Sequence, residues 1–356
     1  MHTLKVGIIW VQAFLLAVAM AGCCGSSNSS GTGNPSLTPP TVISVIPTGA
    51  STGICQGAFV SATFSKAMNP ATINTGTFTL AGASAVTGTV SLDAANLVAT
   101  FTPSSPLALN TQYTATITTG AQDQFGIALA ANFVWTFTTA AAPCPAPIST
   151  GSACGFGILA ATPAVTNVGP TNVTADIGIW PAASIVGFPP GTLTGTKHTG
   201  DAVAQTAQGD LTVAYNAAAG APGGAALTAD IGGQTLPPGV YKATTALGIT
   251  GDLTLDGKGD PNSAWIFQVG TALTTAAGSS SAPASRVILI GGAQAKNVTW
   301  QIGSSATLGT FSTMQGTIMA QASITLTTGA TLNGRALART GAVTLDSNPV
   351  NVPPCP

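Results

Sequence analysis

Three segments in the C-terminal half of the chain can be laid on one another without a gap: Phe267-Gln-Val-Gly-Thr-Ala-Leu-Thr274, Trp300-Gln-Ile-Gly-Ser-Ser-Ala-Thr307 and Ile324-Thr-Leu-Thr-Thr-Gly-Ala-Thr331. Their first and third positions are apolar, the fifth is Thr or Ser, and the eighth is Thr. Thr271, Thr274, Ser304, Thr307, Thr328 and Thr331 are therefore the candidate functional set. Apolar residues at period two bury one strand face, and recurrence of the unit points to stacked turns of a β-solenoid with the hydroxyls ranked on its surface. Such a rank supplies no acid, base or nucleophile. What it can do is hold ordered water, which suits a chain with only 5 % charged residues.

The other chemistry-bearing residues read more simply as structure. Asp252, Asp256 and Asp260 are the one acidic cluster, and Asp256-Gly-Lys-Gly-Asp260-Pro-Asn262 has the composition of a turn. It is short of oxygen ligands for calcium and of the convergent carboxylates that polysaccharide cleavage needs. Lys197-His198-Thr199-Gly-Asp201 reads as the approach to a helix N-terminus, with no Ser or Cys nucleophile positioned beside it. Ligand spacing for zinc is missing as well. No catalysis, metal or other cofactor is expected.

The 356 residues leave room for two domains with real cores. With 43 Gly and 24 Pro, short strands and turns are favoured over long amphipathic helices, and because all ten acidic residues are Asp the Glu/Lys pairs of an exposed helix cannot form. A net charge of −1 excludes the basic footprint of a nucleic-acid or anionic-membrane binder.

Lys5 followed by an apolar run over residues 6–20 reads as a secretory signal, too short to span a bilayer as a mature helix. Its removal leaves 9 − 1 = 8 basic residues against ten Asp, a net charge of −2. The run ends in Met20-Ala-Gly-Cys23, which resembles a bacterial lipobox. Residues 1–22 are then a lipoprotein-type signal with lipid on the Cys23 thiol, an ordinary signal cut near Ala21 being the alternative. Residues 23–40 form a flexible tether. An exported envelope lipoprotein, at the outer membrane or cell surface, or a secreted protein follows: monomeric, and meeting membrane only through that anchor.

Export permits disulfides. With Cys23 acylated, Cys24, Cys55, Cys144, Cys154 and Cys355 remain, and at least one is unpaired. Cys55 and Cys144 bracket one folded region and Cys154 and Cys355 the next, so those pairs are preferred; a Cys144 to Cys154 staple competes.

Residues 41–140 read as short alternating strands, the clearest at 59–64, 86–92, 97–101, 113–117 and 133–137, in the manner of an immunoglobulin-like sandwich of about seven strands. Lys66 and Asp123 read there as solvated loop charges. Residues 141–154, rich in Ala and Pro, form a linker, and residues 155–352 a second domain with a short tail after it. Thr250-Gly-Asp-Leu-Thr-Leu-Asp256 and Thr340-Gly-Ala-Val-Thr-Leu-Asp346 make a second internal echo in this domain. Between Gly200 and Gly220, apolar residues at three-to-four spacing, Asp201 at the start and Gly220 at the end predict a helix covering one apolar solenoid face. The indoles of Trp180, Trp265 and Trp300 fall in core-strand patterns.

Phe64-Ser-Lys-Ala-Met-Asn-Pro70, Leu109-Asn-Thr-Gln-Tyr113 and Trp135-Thr-Phe-Thr-Thr139 resemble a bacterial Ig-like domain of surface-layer proteins, which implies a spacer or presentation role. Asp176-Ile-Gly-Ile-Trp-Pro181, Gly187-Phe-Pro-Pro-Gly191, Leu236-Pro-Pro-Gly-Val-Tyr241, Trp265-Ile-Phe-Gln268 and the run from Thr331 through Asn333-Gly-Arg335 to Asp346 resemble the microbial ice-binding-protein family. That resemblance implies a mainly β chain with an N-terminal Ig-like β-sandwich followed by a discontinuous β-solenoid (β-helix) and one long flanking α-helix. It also implies an ice surface as partner, met by one solenoid face carrying Thr, Ala or Gly, any residue, then Thr or Asn. Thr271-Ala-Leu-Thr274 and Thr328-Gly-Ala-Thr331 match that motif, and Ser304-Ser-Ala-Thr307 departs from it at two positions. A non-catalytic adhesive envelope protein that holds polysaccharide or protein is the competing reading.

Overall fold

The computed structural model describes residues 38–278 and 284–356. The segment read as a signal peptide, Cys23 with its expected lipidation, Cys24 and most of the expected tether lie outside the described residues.

Alternating apolar residues in the first region close two four-stranded sheets on one another. One joins Val42–Ile46, Val60–Phe64, Val98–Pro103 and Gly88–Leu92, the other Ser51–Ile54, Phe133–Thr139, Gln112–Ile117 and Phe78–Ala81. Tyr113, Ala115, Ile117, Trp135 and Phe137 are buried between them, as period two requires. The sheets hold one strand more than the seven expected. Ser51–Ile54, whose Gly53 and Thr52 carry no apolar alternation, gains its strand character from pairing with Phe133–Thr139. Asp123 corrects the reading of it as a solvated charge: it is fully buried. Its Oδ1 accepts from the backbone N–H groups of Phe125 and Ile127, both at 2.9 Å, and Lys66 Nζ stands 3.8 Å from Oδ2. Burial is tolerated because the turn's own amides replace water. Cys55 is joined to Cys144 and Cys154 to Cys355.

In the second region each coil lays one strand on each of three faces, all pairs parallel. The coil Val298–Ile302, Ala306–Leu308 and the start of Thr313–Ala320 is representative. Inward side chains fill the core: Trp265, Phe267 and Trp300 are fully buried, and the rings of Phe267 and Trp300 stack at 3.9 Å and 7°. Each such side chain contributes on the order of 2 kcal/mol by area removed from water. Two strands of eight residues, Thr313–Ala320 and Thr331–Ala338, run around the corner between two faces. Gly316 and Gly334 are register partners there, with Gly316 at φ +103° and a Cβ on Gly334 driven into the Gly316 carbonyl.

The stack is discontinuous. The first strands of the domain, Phe156–Ala160, Val165–Asn167 and Asn172–Val173, dock on the last coil, with Val165 opposite Val343 and Val173 opposite Val350. Arg335 is buried at this seam. Its Nε donates to the Cys154 carbonyl at 2.8 Å and Nη2 to the Pro353 carbonyl at 2.6 Å, so one guanidinium ties both ends of the domain beside the Cys154–Cys355 bond. Burial pulls its pKa down to about 10, which still leaves it charged at neutral pH.

The helix is Ala202–Ala219. Asp201 caps it by accepting from the Ala204 N–H at 2.9 Å, and Gly220 ends it. Ala207, Leu211, Ala214, Tyr215 and Ala218 pack on Phe156, Leu159, Ile266, Met319 and Leu337, which covers the first solenoid face. Gln208 Nε2 donates to the carbonyls of Ala160 and Ala338, and Gln268 Nε2 to those of Ala218, Ala219 and Ala221, fastening the helix at its middle and its C-terminal end.

Candidate functional site

With one face under the helix, two remain open. The second face is a seven-stranded parallel sheet of short strands, in the order Ile185–Val186, Val165–Asn167, Val343–Leu345, Ile324–Leu326, Ala306–Leu308, Leu273–Thr275 and Leu247–Ile249. Their flanking residues point into the core and their central residues point out. Those central residues form an unbroken in-register rank: Thr274 beside Thr307, Thr307 beside Thr325, Thr325 beside Thr344, and Thr344 beside Thr166. Gly248 and Val186 terminate it. Parallel neighbours repeat at about 4.8 Å, so the five hydroxyls and five methyls form a row whose spacing is set by backbone hydrogen bonds. Two residues before each Thr, just ahead of its strand, stands a small residue, Ala272, Ser305, Ser323, Ala342 or Ala164, which leaves room for water to approach the row.

No side-chain hydrogen bond to another described residue is made by any of these five threonines. Threonines off the rank behave differently. Thr275 is buried and donates to Ser312 Oγ at 2.9 Å, Thr327 donates to the Leu308 carbonyl at 2.7 Å, and Thr340 to the Gln321 carbonyl at 2.6 Å. The face carries no charge along the rank. Asp230 stands at its far edge beside Gly248. Burial disfavours that anion, but hydrogen bonds from Thr250 and the Gly232 N–H outweigh it and hold its carboxyl below the usual range. Asp346 lies at the corner leading to the third face.

Of the six residues expected from sequence, two stand on this face and two in the bends that lead into it. Thr274 and Thr307 stand in the rank, and Thr271 and Ser304 precede their strands, with the Ser304 N–H donating to the Thr271 carbonyl at 2.8 Å. The other two lie elsewhere. Thr328 lies exposed in the corner, where its hydroxyl donates to Asp346 Oδ2 at 2.5 Å. Thr331 begins the strand Thr331–Ala338 on the third face, where it pairs with Thr313. The gapless overlay failed at its third segment because the register partner of Trp300 is Ile318, not Ile324, so the partner of Thr307 is Thr325. Thr325, Thr344 and Thr166 were missed. The signal that finds them is a triplet of small, apolar, Thr: Ala272-Leu-Thr274, Ser305-Ala-Thr307, Ser323-Ile-Thr325, Ala342-Val-Thr344 and Ala164-Val-Thr166. The second echo also joins different faces: Asp252–Asp256 lies on the third face and Val343–Leu345 on the threonine face.

The third face is chemically unlike the second. Arg286 makes a two-pronged ion pair with Asp252 at 2.9 and 2.6 Å, Lys258 pairs with Asp256 at 3.0 Å, Pro349 interrupts the Thr313 and Thr331 column, and Asn351 donates to Asn333 at 3.0 Å. Its polar groups answer one another. The Asp256 to Asn262 segment is a turn, with Asp256 accepting from the Lys258 N–H at 2.9 Å and Asp260 from the Asn262 N–H at 2.8 Å. No group of three or more potential metal ligands occurs among the described residues. His198 Nδ1 lies 2.9 Å from the Oδ2 of the capping Asp201, with Asp176 on its other side.

Comparison with known proteins follows the same division of the chain. Residues 158–351 match the family described as ice-binding-like, and residues 36–139 match the bacterial Ig-like domain. An ice-binding protein of Nostoc sp. (strain HG1) is 47% identical over 203 residues, covering 56% of this chain and 72% of the relative. One from Flavobacterium frigoris (strain PS1) is 38% identical over 221 residues, covering 58% and 76%. Among solved structures, the ice-binding protein of the Antarctic ascomycete Antarctomyces psychrotrophicus superposes with a TM-score of 0.54 at 44% identity, covering 58% of this chain and 98% of that one.

Proposed function

Since the chain belongs to the ice-binding-like family, we propose that it binds ice, and that it does so through the rank of Thr274, Thr307, Thr325, Thr344 and Thr166. The observation that carries this reading is the contiguity of five outward threonines, in register, whose hydroxyls make no hydrogen bond to another described residue, in a rank that carries no charge. Thr is β-branched and stiff at χ1, so the row keeps its geometry without a ligand and loses little conformational entropy on adsorption. Methyl groups favour caged water, hydroxyls anchor it, and the small residues beside each Thr let this layer merge with a crystal surface. Lys, Arg or Asp on the same row would hold a hydration shell of their own geometry and break the match.

The activity is adsorption, with no acid, base, nucleophile or cofactor in the reading, and its outcomes are recrystallisation inhibition, growth shaping or attachment to ice. The Ig-like domain acts as a spacer. The protein is exported and works as a monomer outside the cell, held at Cys23 by lipid or released. The deciding experiment is capture of the protein into a slowly grown ice body beside Thr307→Tyr. Incorporation of the first and rejection of a folded second support the reading; exclusion of the folded wild type refutes ice binding, and capture of both refutes the face.

A further inference from the structure

A cleft of about 340 Å3 lies between the helix Ala202–Ala219 and the solenoid, lined by Trp180, Gln205, Gly209, Thr212 and Arg339 and by none of the five rank threonines. We propose that this cleft binds a uronate unit of an acidic polysaccharide, with the pyranose ring against Trp180 and the carboxylate at Arg339. Its volume falls within the range of small-ligand sites.

Three observations carry the assignment. Trp135, Trp265 and Trp300 are buried, whereas Trp180 is only half-buried and forms part of the cleft wall, which departs from the core position expected for it. A partly exposed indole is a platform for the C–H face of a sugar and carries a polar N–H for its hydroxyls. Second, Arg339 has no carboxylate within ion-pair distance among the described residues, a state it shares with Lys197, Lys242, Lys296 and Arg335, and of these five it alone lines this cleft. Its guanidinium lies over the Tyr215 ring at 4.4 Å with Nη1 donating to Gln321 Oε1 at 2.6 Å, an arrangement that holds the fork in place. Its Nε is buried without a hydrogen-bond partner among the described residues. A held, uncompensated guanidinium favours a carboxylate ligand over a neutral one. Third, Gly209 sits in the helix interior, where Gly is less stable than Ala by about 1 kcal/mol. A Cβ there would meet nothing within 4 Å, so no packing demands the glycine, and its missing side chain leaves the cleft open.

The test is calorimetric titration of the exported protein with trigalacturonate, galacturonate and neutral cellotriose, repeated on Arg339→Gln and Gly209→Leu. Gly209→Leu fills the cleft and improves helix propensity, so it separates blockage from unfolding. The acidic trimer should bind at least about tenfold more tightly than the neutral one and than the monomer, and each variant should lose about tenfold or more, with ice capture unchanged. Equal affinity for acidic and neutral trimers, a trimer no tighter than the monomer, binding untouched in Gly209→Leu, or no binding of the acidic trimer overturns the proposal.

Discussion

Thr344, on the last coil of the chain, is the register partner of Thr166, on the first coil of the domain. The rank is therefore continuous only once the two ends of the domain have docked, and the same seam holds Arg335 and the Cys154–Cys355 bond. Integrity of the seam and extent of the candidate ice-binding face are one property.

Substitution by Tyr along the rank should be read position by position. Thr325→Tyr and Thr344→Tyr should lower ice capture by about tenfold or more, because a ring interrupts several contacts of an adsorbed water layer at once. Thr331→Tyr on the third face and Thr328→Tyr in the corner should remain near wild type. Loss with Thr331→Tyr, with Thr325→Tyr unaffected, would move the contact to the third face.

Arg335→Met should destabilise the solenoid by about 3 kcal/mol, since the buried carbonyl of Cys154 and the half-buried carbonyl of Pro353 lose their donors. Arg335→Lys should recover only part, an ammonium lacking the fork that reaches both carbonyls. Thermal unfolding followed by near-ultraviolet circular dichroism measures this, and an unchanged midpoint for Arg335→Met would show the seam to be held elsewhere.

Removing the Cys154–Cys355 bond with a Cys355→Ser substitution should cost about 5 kcal/mol on the chain-entropy relation, because the cysteines are 201 residues apart. Denaturant midpoints with and without reductant provide the check: the variant should fall below the wild type without reductant, and the two should coincide under reductant, which opens Cys55–Cys144 in both.

Asp260 is only 4% exposed, and burial pushes its carboxyl up against the smaller opposing effect of the Asn262 N–H. The native state thus binds this proton more tightly than the unfolded chain, and the group's contribution to stability falls as pH rises through the window between the ordinary carboxylate value and the raised one. Asp260→Asn keeps the oxygen that accepts from Asn262 and removes the buried charge. It should raise the melting temperature at pH 7 and make no difference below that window; a lower melting temperature at pH 7 would mean the anion is stabilised.

Gly334→Ala should destabilise by about 3 kcal/mol or prevent folding, because its Cβ meets the backbone of Gly316 on the neighbouring strand and not a side chain able to turn away. Expression with soluble yield, then the unfolding midpoint, reports the effect, and a wild-type midpoint would contradict the corner geometry.

Composition and period-two patterning were enough to read two β domains, the helix between Gly200 and Gly220 with its Asp201 cap, and which residues of each strand point inward, because local side-chain alternation and capping chemistry are written residue by residue. They did not tell one solenoid face from another. Apolar alternation next to a Gly turn looks the same on all three faces, so Thr331 passed for a neighbour of Thr307 when Thr325 holds that place. Coils of unequal length shift the register, and the docking of Val165–Asn167 on Val343–Leu345 joins strands from opposite ends of the domain, a long-range pairing that no local pattern encodes. The burial of Asp123 and the placing of Trp180 beside Arg339 have the same origin, since both depend on what distant segments bring to a side chain. The sequence by itself thus determined a threonine-rich, nearly chargeless solenoid surface, and only tertiary stacking decided which five threonines stand together, because their alignment is fixed by hydrogen bonds between coils and not within them.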